Sequence, residues 1–155
     1  MASFVYNNAK GRFADGLIDW GTTALKVMLV KSGYGPSVAN ADDVYVSTAS
    51  ASEISAPSTG YVGGFAGSGR KTLAYTTDTA RVDNANDRAK LDGDDVTWSA
   101  ITCADPIYAA VIIQEASGAD ASSFLIAYID FITPITTNGG DLTIQWSANG
   151  IITLT

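Results

Sequence analysis

Two stretches of the chain are almost uninterrupted in apolar residues, 108–114 and 124–131. Runs of that length bounded by turn residues predict strands covered on both faces. Ser117, Gly118 and Asp120 mark a loop between them, so the two are expected to pair as a hairpin. Residues 24–31 predict a further strand, with Leu25, Val27 and Leu29 on one face and Lys26, Met28 and Val30 on the other. Gly33, Gly35 and Pro36 then turn the chain. Strands are also predicted at 71–76, at 79–83 with Ala80 and Val82 inward, and at 88–91 after a turn at Asn84, Ala85 and Asn86. Asp92, Gly93 and Asp94 turn the chain again. Val96 and Trp98 alternate with polar neighbours, as do Leu142, Ile144 and Trp146. Asn149-Gly150 signals a tight turn, after which 151–154 is expected to close the sheet. Short strands separated by turns at intervals of about 8–12 residues predict an antiparallel β-sandwich or barrel.

The first part of the chain reads differently. Asn7 or Asn8 is a candidate cap for a short N-terminal helix with Phe13, Ala14, Leu17 and Ile18 on one face. Gly11 and Gly16 each weaken it by about 1 kcal/mol relative to Ala, so it needs docking to persist. Residues 1–20 thus form an arm and short helix. Residues 39–69 form a long irregular loop rich in Gly and Ser, with Tyr61 and Phe65 set among Gly60, Gly63, Gly64, Gly67 and Gly69. Gly63, Gly64, Gly67 and Gly69 are expected at positive φ. Residues 70–155 form the main β core. With 155 residues in all, the whole is one mainly-β domain able to bury a sizeable core.

Charged residues are 16% of the chain, below the usual quarter or so, and the net charge is −7. Neutralising phosphates requires clustered cations. The densest basic spot is Arg70-Lys71, so direct nucleic-acid binding is not expected. No apolar run approaches the roughly 18 residues of a membrane helix, and residues 1–15 lack a signal-peptide pattern. That predicts synthesis and retention in a cytoplasm.

The chain has no His and a single Cys, Cys103. Zinc ligation by nitrogen or sulfur and Ser/His/Asp or Cys/His catalysis therefore lack their residues. The carboxylates beyond Asp105 are Glu115, Asp120, Asp130 and Asp141. A glycosidase would need two of them facing across a cleft. Asp130 interrupts an apolar strand, and an outward-facing or backbone-bonded carboxylate is the simpler reading. The oxygen-rich stretch from Asp83 to Asp95 does not fit an EF-hand and reads as solvated turns. The glycines of 60–69 lack the Gly-Lys-Ser/Thr ending of a phosphate-binding loop. Trp20, Trp98 and Trp146 suit a sugar platform in principle, but core packing is the stronger reading for the latter two. No cofactor and no enzymatic activity are expected.

Several stretches in order carry a resemblance: Gly16-Leu17-Ile18-Asp19, Leu25-Lys26-Val27-Met28-Leu29-Val30, Gly60-Tyr61-Val62-Gly63-Gly64, Asp94-Asp95-Val96-Thr97-Trp98, and then residues 109–113, 125–131 and 142–151. Together the chain resembles a family of small virion structural proteins of tailed bacteriophages and prophages. The resemblance implies a particle component without catalysis, foremost a capsid decoration (cement) protein. Such a protein would bind the major capsid protein lattice on the outside of the head, as a homo-oligomer with a trimer favoured, and stabilise it against internal DNA pressure. The alternative is a tail-tip, fibre or other receptor- or carbohydrate-binding virion module. Phe4 and Tyr6 in the arm, and Tyr61 and Phe65 in the loop, are the candidate partner contacts. An arm of that kind is expected to be removable, from residue 1 to 6, without unfolding the domain.

Overall fold

The computed structural model describes residues 3–21, 24–35, 43–55, 58–75, 82–116 and 118–155. In chain order the elements are β1 (Phe4–Val5), α1 (Asn7–Ala14), β2 (Leu25–Val30), α2 (Val46–Ser50), β3 (Ser58–Thr59), β4 (Lys71–Thr72), β5 (Val82–Asp83), β6 (Arg88–Leu91), β7 (Val96–Trp98), β8 (Thr102–Cys103), β9 (Ile107–Gln114), β10 (Phe124–Ile135), β11 (Leu142–Ile144) and β12 (Ile152–Leu154). The chain is mainly β, and every strand pair is antiparallel.

The main sheet has the order β1-β10-β9-β2-β4. β9 lies in its middle. It pairs with β10 from Gln114↔Phe124 to Ile107↔Ile135, and with β2 from Gln114↔Leu25 to Ala109↔Val30. Ala109–Ile113 are buried on both faces, which is why the run is apolar without alternation. Smaller sheets surround it: β12-β6-β5, β11-β7 and β3-β8. The predicted hairpins 108–114/124–131 and 79–83/88–91 both form over their described residues. β7 alternates as read, with Val96 and Trp98 buried and Thr97 exposed.

Several expectations are corrected. The helix begins after Tyr6, an extended residue with no side-chain cap; Asn7 and Asn8 lie inside its first turn. It stops early because Gly16, at φ 68°, donates its N–H to Phe13 O while Leu17 N–H donates to Arg12 O. That double bond pattern is a Schellman motif, which closes a helix through a left-handed glycine. Leu17 is consequently exposed, and Ala9 is the helical residue that is buried. The arm is not a free extension but is built into the fold. Phe4 and Val5 pair with Tyr128 and Ala127 of β10, Tyr6 N–H donates to Ile126 O at 3.0 Å, and the Tyr6 side chain is fully buried. Deleting residues 1–6 would strip an edge strand and a core aromatic.

The segment read as an irregular loop, 39–69, is folded into the core over its described part. Tyr45 bridges Phe124, α2 buries Val46 and Ala49, Glu53 bridges Val30, and β3 pairs with β8. Of its glycines, Gly60 and Gly64 take positive φ. Gly69 is needed for a different reason: a Cβ there would fall onto the Tyr61 ring. Further along, Val82 points outward and is 61% exposed, contrary to its predicted inward face; Ala80 lies outside the described residues. Over its described residues the strand read at 71–76 reduces to β4 and a bridge between Tyr75 and Gly93, and Thr76 lies outside them. The β11 strand stops at Ile144, leaving Trp146 beyond it. β12 pairs with β6 and does not close the main sheet. One apolar cluster joins Tyr6, Trp20, β2, Val46, Ile54 and Tyr61 to the strands after residue 70, so the core is not confined to 70–155.

Candidate functional site

Two regions of the molecule gather the polar and aromatic side chains that the fold does not use for ordinary packing. The first is a buried ionic knot. Glu53 is fixed by its bridge to Val30, and the next residue's N–H donates to Leu29 O at 3.0 Å. Arg70 enters just before β4, with 1% of its side chain exposed. Its Nε donates to Glu53 Oε1 at 3.0 Å and its Nη2 to Glu53 Oε2 at 2.7 Å. The same guanidinium reaches Asp120 with Nη1–Oδ1 at 2.6 Å and Nη2–Oδ2 at 2.9 Å, and Glu115 at 3.4 Å. Two bidentate forks on one guanidinium are the strongest geometry available to a carboxylate pair. Tyr61 completes the knot: its hydroxyl donates to Glu53 Oε1 at 2.9 Å and accepts from Leu29 N–H at 3.0 Å. Gly64 N–H donates to Glu53 Oε2 at 2.9 Å.

Burial works against charge on Arg70, but the hydrogen bonds it donates to Asp120 and Glu53 outweigh it and hold the guanidinium protonated. Burial, and then the Glu53 charge, push the Tyr61 phenol far up. A polar hollow of about 320 Å³ lined by Ser50, Glu53, Ser55, Gly64 and Asp120 opens above the knot. The carboxylates in it are already committed to Arg70, so the arrangement cross-links four segments of chain: α2 and its sequel, the glycine-rich segment, the start of β4 and the β9–β10 loop. Arg70 is therefore no surface cation. Tyr61, read as a partner contact, is interior.

The second region is a groove at the C-terminal end of β10, past its pairing with β1, lined also by β9 and the turn after β2. The β9–β10 register shifts between Asp130 and Ile135. Within that bulge Ile132 sits at φ 62°, a left-handed conformation that a β-branched residue adopts at a cost of roughly 1–3 kcal/mol. Asp130 Oδ1 accepts the Ile132 N–H at 3.0 Å and holds it there. The side chain so presented is 84% exposed. Two residues on, Pro134 has no N–H to offer an added strand. Tyr34, Tyr108, Tyr128, Asp130, Ile132 and Pro134 line a groove of about 320 Å³, floored by the turn after β2.

Its walls are braced from behind. The Phe4 ring stacks on Tyr128 at 5.6 Å, and Tyr34 lies 6.2 Å from Tyr128. Tyr6 and Tyr34 share a hydroxyl hydrogen bond of 2.7 Å, and Tyr34 donates to Asp43 at 3.2 Å. Burial, and then the Asp130 charge, push the Tyr128 phenol up to about 12. Burial foremost raises Tyr34 as well. The groove thus presents neutral phenols. Tyr108 keeps 39% of its surface open to it.

The predicted contact residues separate accordingly. Phe4 and Tyr6 stand behind the groove wall, Tyr61 belongs to the knot, and Phe65 is 38% exposed outside both. Tyr108 and Ile132 were not foreseen as surface features. Of the four carboxylates beyond Asp105, Glu115 and Asp120 hold Arg70, Asp130 holds Ile132, and Asp141 accepts from Ala100 N–H. Trp20 and Trp98 are buried, with Nε1 donating to Asp92 O and Gly69 O, so the three tryptophans form no common platform. Asp83 is held by Arg88 and Asn86, while Asp94 and Asp95 hold Trp146. Among the described residues no group of three or more His, Cys, Asp or Glu converges as a metal site. No family model, curated protein or solved structure matches the chain.

Proposed function

We propose that the chain is a non-enzymatic virion structural protein, a decoration protein that binds the major capsid protein lattice of a tailed-phage head and docks through the Ile132 groove. The phage assignment, the capsid partner and a trimeric state rest on the ordered sequence resemblance. The observation that carries a docking role is Ile132 itself. A large apolar side chain held almost fully in solvent by a strained backbone gains nothing within the monomer, and strain of this kind concentrates where a partner is engaged. Edge-blocking by the bulge and Pro134 fits the same role, because it prevents indiscriminate strand addition while leaving side chains to be read.

Many copies on a symmetric lattice allow each contact to be modest. Mixing purified protein with undecorated heads and counting bound copies tests this. Ile132→Gly and Tyr108→Leu should lower occupancy while leaving the fold intact. Wild-type occupancy in both variants, or no binding of the wild-type chain to heads, would overturn the reading. Binding to a glycan at the same groove would replace it with the receptor-binding alternative.

A further inference from the structure

A further cluster lies at the start of β10, at the far end of that strand from Ile132. We propose that Arg12, Phe124 and Tyr45 form a second docking face, one that receives a single carboxylate side chain, Asp or Glu, from a peptide segment of a partner protein. The Arg12 guanidinium lies over the Phe124 ring, its central carbon 3.5 Å from the ring centroid. Tyr45 bridges Phe124 through the backbone, and its ring stands 5.5 Å from the Phe124 ring. The other described arginines take carboxylates, Arg70 at the knot and Arg88 at Asp83. Arg12 takes none among the described residues, on a chain with sixteen Asp and Glu. Its Nε is buried with no hydrogen-bond partner, as is Oε1 of Gln114, the residue opposite Phe124 on β9. Of its three nitrogens only Nε is both buried and unpaired, so the two terminal amino groups keep their donors open to solvent.

A guanidinium stacked on an aromatic ring keeps its edge free for a forked pair of hydrogen bonds to a carboxylate. No described group of the monomer takes that fork. The stack already fixes the side chain, so less rotamer freedom is lost when a partner arrives. Tyr45, 44% exposed, places apolar ring surface beside the charge. Arg and Tyr are the residue types that most often anchor protein interfaces. Together they fit a carboxylate with an apolar neighbour in sequence. A run of acids fits less well, because the chain's net charge of −7 repels it. The same repulsion disfavours a second copy of this chain as the occupant. A cationic segment would meet the Arg12 charge directly, and like charges across an interface are penalised.

The test uses the whole isotope-labelled protein and three blocked tetrapeptides, Ala-Leu-X-Ala with X glutamate, glutamine or lysine, followed by backbone amide shifts and the side-chain N–H signal of Arg12. The glutamate peptide should move that signal and the amides of Tyr45 and Phe124, and bind about two- to fivefold tighter than the glutamine peptide, the range of one exposed ion pair. The lysine peptide should bind more weakly than either. Arg12→Gln, whose own amide spectrum reports its folding, should bring the glutamate peptide down to the glutamine level. Arg12→Lys, which keeps the charge and loses the planar fork, should retain only part of the difference. Inorganic phosphate at the same concentration should leave the Tyr45 amide in place; a phosphate shift there equal to that of the glutamate peptide would overturn a peptide occupant in favour of a bare anion. Equal binding of the glutamate and glutamine peptides, shifts gathered around Ile132 instead, or silence from all three peptides would overturn the inference. The proposal does not rest on the Ile132 groove, whose own test is occupancy on heads.

Discussion

The ionic knot and the Ile132 groove lie on the same sheet and treat side chains in opposite ways. At the knot, charged groups are taken out of water and each donor of Arg70 finds a carboxylate. At the groove, an apolar side chain is put into water on a backbone that resists it. One spends polar groups on the monomer's integrity. The other spends backbone strain on a side chain that is left exposed. A local rule broken without an internal gain is where function is to be sought, and by that measure the groove outranks the knot.

The difference predicts opposite mutational signs. Arg70→Met should have the largest effect, about 3–5 kcal/mol of lost stability, because it strands Glu53 and Asp120 without their partner. For a domain whose total stability is of the order of 5–15 kcal/mol, chemical denaturation will show this plainly. The paired variant Glu53→Leu with Arg70→Met should lose less than the single one, since the carboxylates then left over, Asp120 and Glu115, are partly hydrated. Equal losses would mean that the knot is not coupled.

Alkali should attack both regions. The phenols of Tyr61 in the knot and Tyr34 and Tyr128 in the groove have folded pKa values above the unfolded value of 10.0. Between those values the unfolded chain has released protons that the folded chain still holds, so stability falls as pH rises. It is fully present below pH 10.0, and the part due to Tyr128 is lost as pH passes about 12. Phenolate absorbance should therefore rise together with loss of near-ultraviolet circular dichroism. Smooth titration of all the tyrosines near 10 with the fold retained would contradict the burial described. Next in size is Tyr61→Phe, expected to cost about 1–3 kcal/mol by leaving the Leu29 N–H without its acceptor and Glu53 with one donor fewer.

The two regions also differ in how far they could be read from the chain. The strands behind the groove were legible, because burial on both faces forces the unbroken apolar runs of β9 and β10. The bulge was not. An isoleucine carries no sign of positive φ, and only the spacing of Asp130 and Pro134 around Ile132 hints at a break. Nothing in the chain announces the knot. Glu53, Arg70 and Asp120 are separated by 17 and 50 residues, and a charge among small residues or beside Lys71 reads as surface. The aromatic Tyr61 inside a glycine-rich stretch was the one available clue, and it pointed inward, not toward a partner. Val82 failed for a related reason: two alternating apolar positions, Ala80 and Val82, do not tell which face is covered.

Ile132→Gly carries the sign that separates the regions. Glycine removes the left-handed penalty of roughly 1–3 kcal/mol and adds about 0.5–1 kcal/mol of backbone entropy cost. Almost no burial is lost at a side chain this exposed. The variant should be more stable than the parent by about 1 kcal/mol, read as a raised melting temperature, while particle occupancy drops. Ile132→Ala keeps the strain and removes the side chain, so it should lower occupancy with little gain in stability. A destabilised Ile132→Gly would show that the residue serves the monomer after all.

Tyr108→Leu should give the smallest change in stability. The residue is the second of β9, where its neighbours Ile107 and Ala109 are buried and Tyr108 lines the groove. Leucine retains the apolar stem and the strand geometry, so the fold should move by no more than about 0.5 kcal/mol, the range of surface substitutions. What is lost is the exposed ring face. A near-silent stability profile combined with reduced particle occupancy would place Tyr108 on the functional side of the comparison. A stability loss approaching that of Tyr61→Phe would move it to the structural side, and the contrast between groove and knot would narrow to Ile132 alone.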